Sequence, residues 1–247
     1  MMRKKPMLAY PVSDKPIDYT KPVFIQPKLD GVRCLIQLEN GVITAYSRTG
    51  KKWKNIAHIL MDLVPFFDKH PNVILDGELY NHDLKDNFEK IISLVRKTKP
   101  TYEDRLESSE MTQFHCYDII NKQLKFIERD EWLRCNLPES YCVKHVETIR
   151  VDMTSIAEVI HKENLEAGYE GSIVRLNDVY KCGRSWSLRK FKDFHDDEAL
   201  LCDWVEGKGK RVGTIGKFMA VDKHGVVFGM PVMDKFDYLQ ENFEEMK

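Results

Sequence analysis

The sequence predicts an α+β fold in which antiparallel hairpins are interrupted by helices, and three observations carry that reading. Apolar, β-branched runs are broken by turn dipeptides at Asp30-Gly31 and Asn40-Gly41, the latter a strong hairpin signal. Apolar residues recur at helical spacing over 55–69 and 86–97. From about Asp196 onward the texture shifts to glycine-punctuated strands, which divides the chain into domains at 1–193 and 196–247.

In chain order, the first twenty residues are proline-rich and aperiodic and read as an extended lead-in. Residues 23–48 read as strand, turn, strand, turn, strand. The helix over 55–69 turns Ile56, Ile59, Leu60, Leu63, Phe66 and Phe67 inward, and the one over 86–97 does the same with Phe88, Ile91, Ile92 and Val95. Short strands follow at NVILDGELY and QFHCYDII, then helical RDEWLRCNL and a strand near VETIRVDM. A helix starting at Thr154 or Ser155 places Ile156, Val159 and Ile160 inward; EGSIVRL and SLRKFKDF are two more strands. Beyond the boundary, ALLCDWVEG, VGTIGKFMAVD and GVVFGM read as strands and 234–246 as a closing helix.

The composition, 43% hydrophobic and 31% charged, belongs to a folded chain. No stretch approaches the ~20 apolar residues that span a bilayer, and the N-terminus lacks a signal-length apolar run, so a cytoplasmic protein without membrane partners is expected. The six cysteines form no C-x-x-C pair and read as reduced thiols; the eight histidines form no metal-spaced pair. With a net charge of −1, any basic footprint must be local. Two clusters qualify: Lys181, Arg184, Arg189, Lys190 and Lys192, then Lys208, Lys210, Arg211 and Lys217. Either is also what a solvated surface looks like.

The run GKGKRVGTIGKF is neither a P-loop, since Gly213 is followed by Thr214 without the required lysine, nor a dinucleotide loop, since Val212 breaks the pattern. Lys28-Leu29-Asp30-Gly31-Val32-Arg33 is more informative, because it sets an amine, a carboxylate and a guanidinium around a tight turn. A lysine attacks only as the neutral amine, so it needs burial or nearby positive charge. Arg33, Lys190 and Lys192 are suitable neighbours if the fold brings them together. They also suit the oxygens of a triphosphate.

Six ordered blocks extend this reading: Lys28-x-Asp30-Gly31-x-Arg33, Ser47-Arg48-Thr49-Gly50, Leu75-Asp76-Gly77-Glu78-Leu79, Phe114-His115-Cys116-Tyr117-Asp118, Glu170-Gly171-Ser172-Ile173-Val174-Arg175 and Ser187-Leu188-Arg189-Lys190-Phe191-Lys192. Through them the chain resembles the covalent nucleotidyltransferases, and within these the small ATP-dependent DNA ligases without an N-terminal DNA-binding domain. The resemblance implies a nucleotidyltransferase (adenylation) domain of antiparallel sheets with flanking helices, followed by an OB-fold β domain. It implies that Lys28 attacks the α-phosphate of ATP and carries AMP before passing it to a 5′-phosphate end. Gln26 and Arg33 would join the nucleotide site, Glu78 would accept from the ribose hydroxyls, and Tyr117 would stack on adenine. Glu170 would hold Mg²⁺, Lys190 and Lys192 would contact the α-phosphate, and Arg48 the 5′-phosphate of a nick. Tyr117 as a core aromatic and Arg48 as a solvated hairpin residue are the plain alternatives. Asp30 is expected to order its turn and Trp186 to pack.

The implied partner is nicked duplex DNA, with Lys208, Lys210 and Arg211 on its phosphates. Three strands are fewer than the five of an OB barrel, and the basic motif the family carries near the end of this domain is not visible. The expectation is an incomplete second domain with an unpaired edge, in a monomer unless another chain completes it. RNA ligase, GTP-dependent mRNA capping enzyme and a non-catalytic nucleic-acid-binding module stand as alternatives.

Overall fold

The computed structural model describes residues 5–192 and 198–232. The chain divides into two compact units, Met1–Asp193 and Phe194–Lys247. The first begins with strands β1 (Met7–Pro11), β2 (Val23–Pro27), β3 (Val32–Glu39) and β4 (Val42–Tyr46), then helices α1 (Ala57–Asp62) and α2 (Val64–Lys69). Next come β5 (Ile74–Tyr80), α3 (Phe88–Val95), α4 (Tyr102–Met111), β6 (Gln113–Ile119) and α5 (Phe126–Asn136). The unit ends with β7 (Val143–His145), β8 (Ile149–Val151), α6 (Thr154–Glu166), β9 (Ser172–Leu176) and β10 (Gly183–Phe191).

These strands form two five-stranded sheets, ordered β4-β3-β5-β6-β7 and β1-β10-β9-β2-β8. Most pairings are antiparallel; β1 with β10 and β6 with β7 are parallel. The Asn40-Gly41 hairpin forms as its chemistry requires, with φ of 51° and 77° at the two turn residues. Helices α1, α2, α3 and α5 pack on the first sheet, where Ile59, Leu63, Phe66, Leu79 and Phe114 are buried. On the second sheet, Ala157 and Ile160 of α6 pack with Val23, Ile25 and Val174. A third apolar cluster draws on both sheets, through Leu35 and Ile74 of one and Met7 and Leu188 of the other.

Several expectations are corrected. The turn at Asp30-Gly31 is no hairpin: β2 and β3 belong to different sheets, so residues 28–31 cross from one to the other. A side chain at Gly31 would stand 2.5 Å from the Leu79 carbonyl oxygen, which explains the glycine at this crossing. The helix over 55–69 is two helices, because Pro65 lacks an N–H to continue the ladder and seats itself in the first turn of α2. The lead-in contains β1, whose partner lies at the far end of the unit and leaves no local signal. In α6, Ile156 and Val159 are 39% and 57% exposed; the inward stripe is Ala157, Ile160 and His161. Helix α4 carries no apolar stripe, and its mark in the sequence is the reciprocal capping box of Thr101 and Asp104.

In the second unit, β11 (Leu200–Glu206), β12 (Ile215–Val221) and β13 (Val227–Pro231) form an antiparallel sheet in that order. The helix expected over 234–246 lies outside the described residues. Among the described residues, no helix is long and apolar enough to cross a membrane.

Candidate functional site

Lys28 follows β2 and is fixed from both sides by backbone bonds. Its N–H donates to the Gly171 carbonyl at 2.9 Å, and the Glu170 N–H donates to the Lys28 carbonyl at 3.1 Å. Gly171 makes this approach possible: its φ is 142°, and a Cβ there would meet the Phe191 carbonyl oxygen at 2.4 Å. The Lys28 ammonium donates to one Glu170 carboxylate oxygen, and Lys192 Nζ lies 3.4 Å from the other. Burial, followed by the charge of Glu170, raises Asp30 above the usual carboxylate range against the pull of Lys28 and Lys192.

Arg33 and Glu78 are cross-strand partners on β3 and β5. Arg33 is clamped to Asp76, with Nε 2.6 Å from Oδ1 and a second bond from Nη2, and Tyr180 Oη donates to the same carboxylate at 2.6 Å. Tyr117 Oη donates to Glu78 Oε2 at 3.1 Å. Burial pushes the Glu78 carboxyl up to about 7 although Arg33 opposes it. The Tyr117 ring lies under two guanidinium groups, Arg33 at 5.1 Å and Arg175 at 5.4 Å.

Beneath these residues runs a buried polar network. Asp118 accepts from Arg129 Nε at 2.6 Å and Arg175 Nη1 at 2.7 Å, and Arg175 Nε donates to Gln26 Oε1 at 2.6 Å. Gln26 Nε2 donates to Thr148 Oγ1 at 2.9 Å and the Tyr117 carbonyl at 3.3 Å. The Gln26 amide is therefore committed to protein partners on both ends.

A cavity of about 340 Å³ opens over this floor, and its wall contains Gln26, Lys28, Arg33, Arg48, Glu78, Tyr117, Glu170 and Lys190. Each of the six sequence blocks supplies at least one of them. Lys192 is outside the wall and touches it through Glu170. Arg48 sits on a turn closed by the Gly50 N–H donating to the Ser47 carbonyl at 2.7 Å. Arg175 and Arg184 also line the cavity and were missed as site residues, although one ends the Glu170 block and the other belongs to the first basic cluster. Converging cations of this number suit a polyphosphate, while Glu78 and Tyr117 offer a carboxylate and a ring to a sugar and a base.

Lys208, Lys210 and Arg211 lie in the second unit, exposed on the connection from β11 to β12, where Gly209–Arg211 form a 3-10 turn. Gly207 is needed there, since a Cβ would sit 2.3 Å from the Arg211 carbonyl oxygen.

Comparison with known proteins adds three findings. The family model described as ATP dependent DNA ligase domain matches residues 6–192. DNA ligase 2 of Methanosarcina mazei is 29% identical over 227 residues, 84% of this chain and 39% of the relative; the DNA ligase of Archaeoglobus fulgidus is 26% identical over 200 residues, 74% and 35%. The chain thus spans less than two fifths of the length of these curated relatives. A solved structure from work on Lig E DNA ligases superposes with a TM-score of 0.78 at 22% identity, covering 97% of this chain and 88% of that one. The ATP-dependent DNA ligase of bacteriophage T7 in complex with ATP gives 0.60 at 17%, covering 98% and 84%. These likenesses show the fold, an α+β architecture of antiparallel sheets with flanking helices shared with DNA ligases of known structure.

Proposed function

The chain belongs to the ATP-dependent DNA ligase domain family, and on that premise we propose that it seals nicks in duplex DNA through a lysyl-AMP intermediate on Lys28. The observation that carries the reading is the convergence of all six blocks on the wall of one cavity, with the Lys28 amine among them. In the first step the free amine attacks the α-phosphorus of ATP. An N–P bond forms as the bond to the bridging oxygen breaks, pyrophosphate leaves, and the amine gives up a proton.

Lys190 and Lys192 offset charge on the α-phosphate, Glu78 accepts from the ribose, and Tyr117 packs against the base. Gln26 acts through Arg175, as a positioning residue beneath the base. The AMP then passes to a 5′-phosphate bound by Arg48, making AMP the leaving group when the 3′-hydroxyl attacks.

A magnesium ion fits the residues present. Burial and then the Glu170 charge raise the cost of charging Asp30, which a divalent cation relieves, and Mg²⁺ is commonly held by one or two carboxylates together with nucleotide phosphates. When bound, the ion neutralises triphosphate charge. The second unit is assigned as the OB-fold part, residues 196–247, with Lys208, Lys210 and Arg211 on DNA phosphates.

The test is incubation with labelled ATP or GTP and Mg²⁺, then a denaturing gel and a sealing assay on nicked duplexes with DNA or RNA strands. An acid-labile adduct from ATP alone, absent in Lys28→Ala, is expected. Labelling from GTP would favour a capping enzyme, sealing confined to RNA strands would favour an RNA ligase, and no adduct at all would favour a binding module.

A further inference from the structure

Trp186 was expected to pack, and the structure gives it a more specific setting. It is 42% exposed, on β10 beside the edge strand β1 of the second sheet, and stacks face to face on Tyr10 of β1 with centroids 3.8 Å apart and planes 8° from parallel. Cations surround the pair. The Arg184 guanidinium lies 5.3 Å from the Tyr10 ring, Arg189 lies 4.5 Å and Lys15 Nζ 5.9 Å from the Trp186 ring.

Arg189 is buried and builds the platform, donating from Nε to the Trp186 carbonyl at 2.6 Å and from Nη1 to the Lys15 carbonyl at 3.3 Å. A groove of about 570 Å³ adjoins it, lined by Trp186 and by Lys15, Lys21 and Lys125. Its carboxylates are already matched: Asp18 pairs with Lys21 at 2.9 Å, and Asp178 with Lys181 and Ser187. The platform is continuous with the nucleotide cavity, because Leu8, Ala9 and Arg184 line that cavity and flank Tyr10 and Trp186 along the same two strands.

Exposed aromatic rings beside cations match the chemistry of a nucleic-acid strand, whose phosphates take the cations and whose apolar sugar and base surfaces pack on rings. We propose that the Tyr10–Trp186 platform, with Lys15 and the adjoining groove, seats the backbone of the DNA strand leading away from the cavity. This rests on the proposed nick-sealing function and adds a contact surface to it. The contact serves binding, so it is separable from Lys28 chemistry.

The experiment measures affinity of the full chain for a fluorescently labelled nicked duplex without Mg²⁺, alongside ATP labelling of Lys28. Trp186→Ala and Lys15→Glu are each expected to weaken nick binding about tenfold, equivalent to ~1.4 kcal/mol, and Lys15→Glu to flatten the salt dependence by about one counterion. Trp186→Phe, which keeps a ring on Tyr10, is expected to bind within about threefold of the parent, and ATP labelling is expected to be unchanged in all three. Unchanged nick affinity in Trp186→Ala and Lys15→Glu would overturn the proposal. So would a parallel fall in ATP labelling, which would make the stack a support for the cavity. A parent chain that binds nicks without labelling Lys28 would refute the nick-sealing reading and leave the platform standing.

Discussion

The Lys28 ammonium donates to the Glu170 carboxylate, so an amine in the cavity wall is held by a residue 142 positions away in the chain. Lys192 approaches the second oxygen of the same carboxylate. Glu170 thus aligns the amine and joins the two ends of the first unit.

Glu170→Gln keeps the shape and removes the charge. Adenylylation is expected to fall at least ~100-fold, while the melting temperature changes little, since partly exposed ion pairs contribute only about 0–1 kcal/mol. Label incorporation and thermal denaturation on the same preparation check this. A large fall in melting temperature would show that Glu170 mainly holds the fold.

Glu78 supplies a pH dependence of stability. Its carboxyl is raised from 4.5 to about 7 in the fold, so folding favours the protonated form. Stability is greatest below the unfolded value and declines as pH rises between about 4.5 and 7, where the unfolded chain releases the proton first. Because Glu78 faces an open cavity, the loss is on the order of 1–2 kcal/mol. Glu78→Gln is expected to remove it, so denaturant melts at pH 5.5 and 8 should show a smaller difference in the variant. Equal pH slopes would refute the assignment.

The buried Asp76 carboxylate accepts from both the half-buried Arg33 guanidinium and the buried Tyr180 hydroxyl. Asp76→Ala removes the buried half of this ion pair and is expected to cost about 3–5 kcal/mol. Tyr180→Phe removes one hydrogen bond and should cost about 1.5–3 kcal/mol, because the acceptor is charged. Urea melts distinguish them, and equal costs would mean that the ion pair is not the dominant link.

Gly171→Ala tests the crossing of the Lys28 and Glu170 segments. With φ at 142° and a carbonyl oxygen 2.4 Å from the new Cβ, the backbone must shift. A loss of more than about 2 kcal/mol and of adenylylation is expected. A variant that labels at the parent rate would show that the two segments tolerate separation.

The site was more legible in the sequence than the fold around it. Short blocks retain residue order and spacing, so Lys28, Glu78, Glu170 and Lys190 stood out, and they share one cavity. Sheet membership leaves no such trace: Asp30-Gly31 looks like Asn40-Gly41, yet one joins two sheets and the other two adjacent strands. The same limit hid Arg184, which reaches the cavity because β1 lies beside β10. In α6, periodicity named a face one residue out of phase, because small Ala157 and polar His161 occupy inward positions that Ile156 and Val159 were expected to fill.

The parallel pairing of β1 with β10 also fixes an order of assembly during synthesis. The sheet β4-β3-β5-β6-β7 draws on strands between Val32 and His145 and becomes complete when that stretch has emerged. The other sheet needs Met7 to wait for Gly183, which at roughly 5–20 residues per second is on the order of ten seconds or more. During that interval β1 lacks its neighbour and the Lys28 crossing lacks the Gly171 carbonyl that fixes it. The nascent chain therefore acquires the scaffold carrying Arg33 and Glu78 early and the setting of Lys28 last, so a ribosome stalled before residue 171 displays a nearly finished sheet and an unfinished cavity wall.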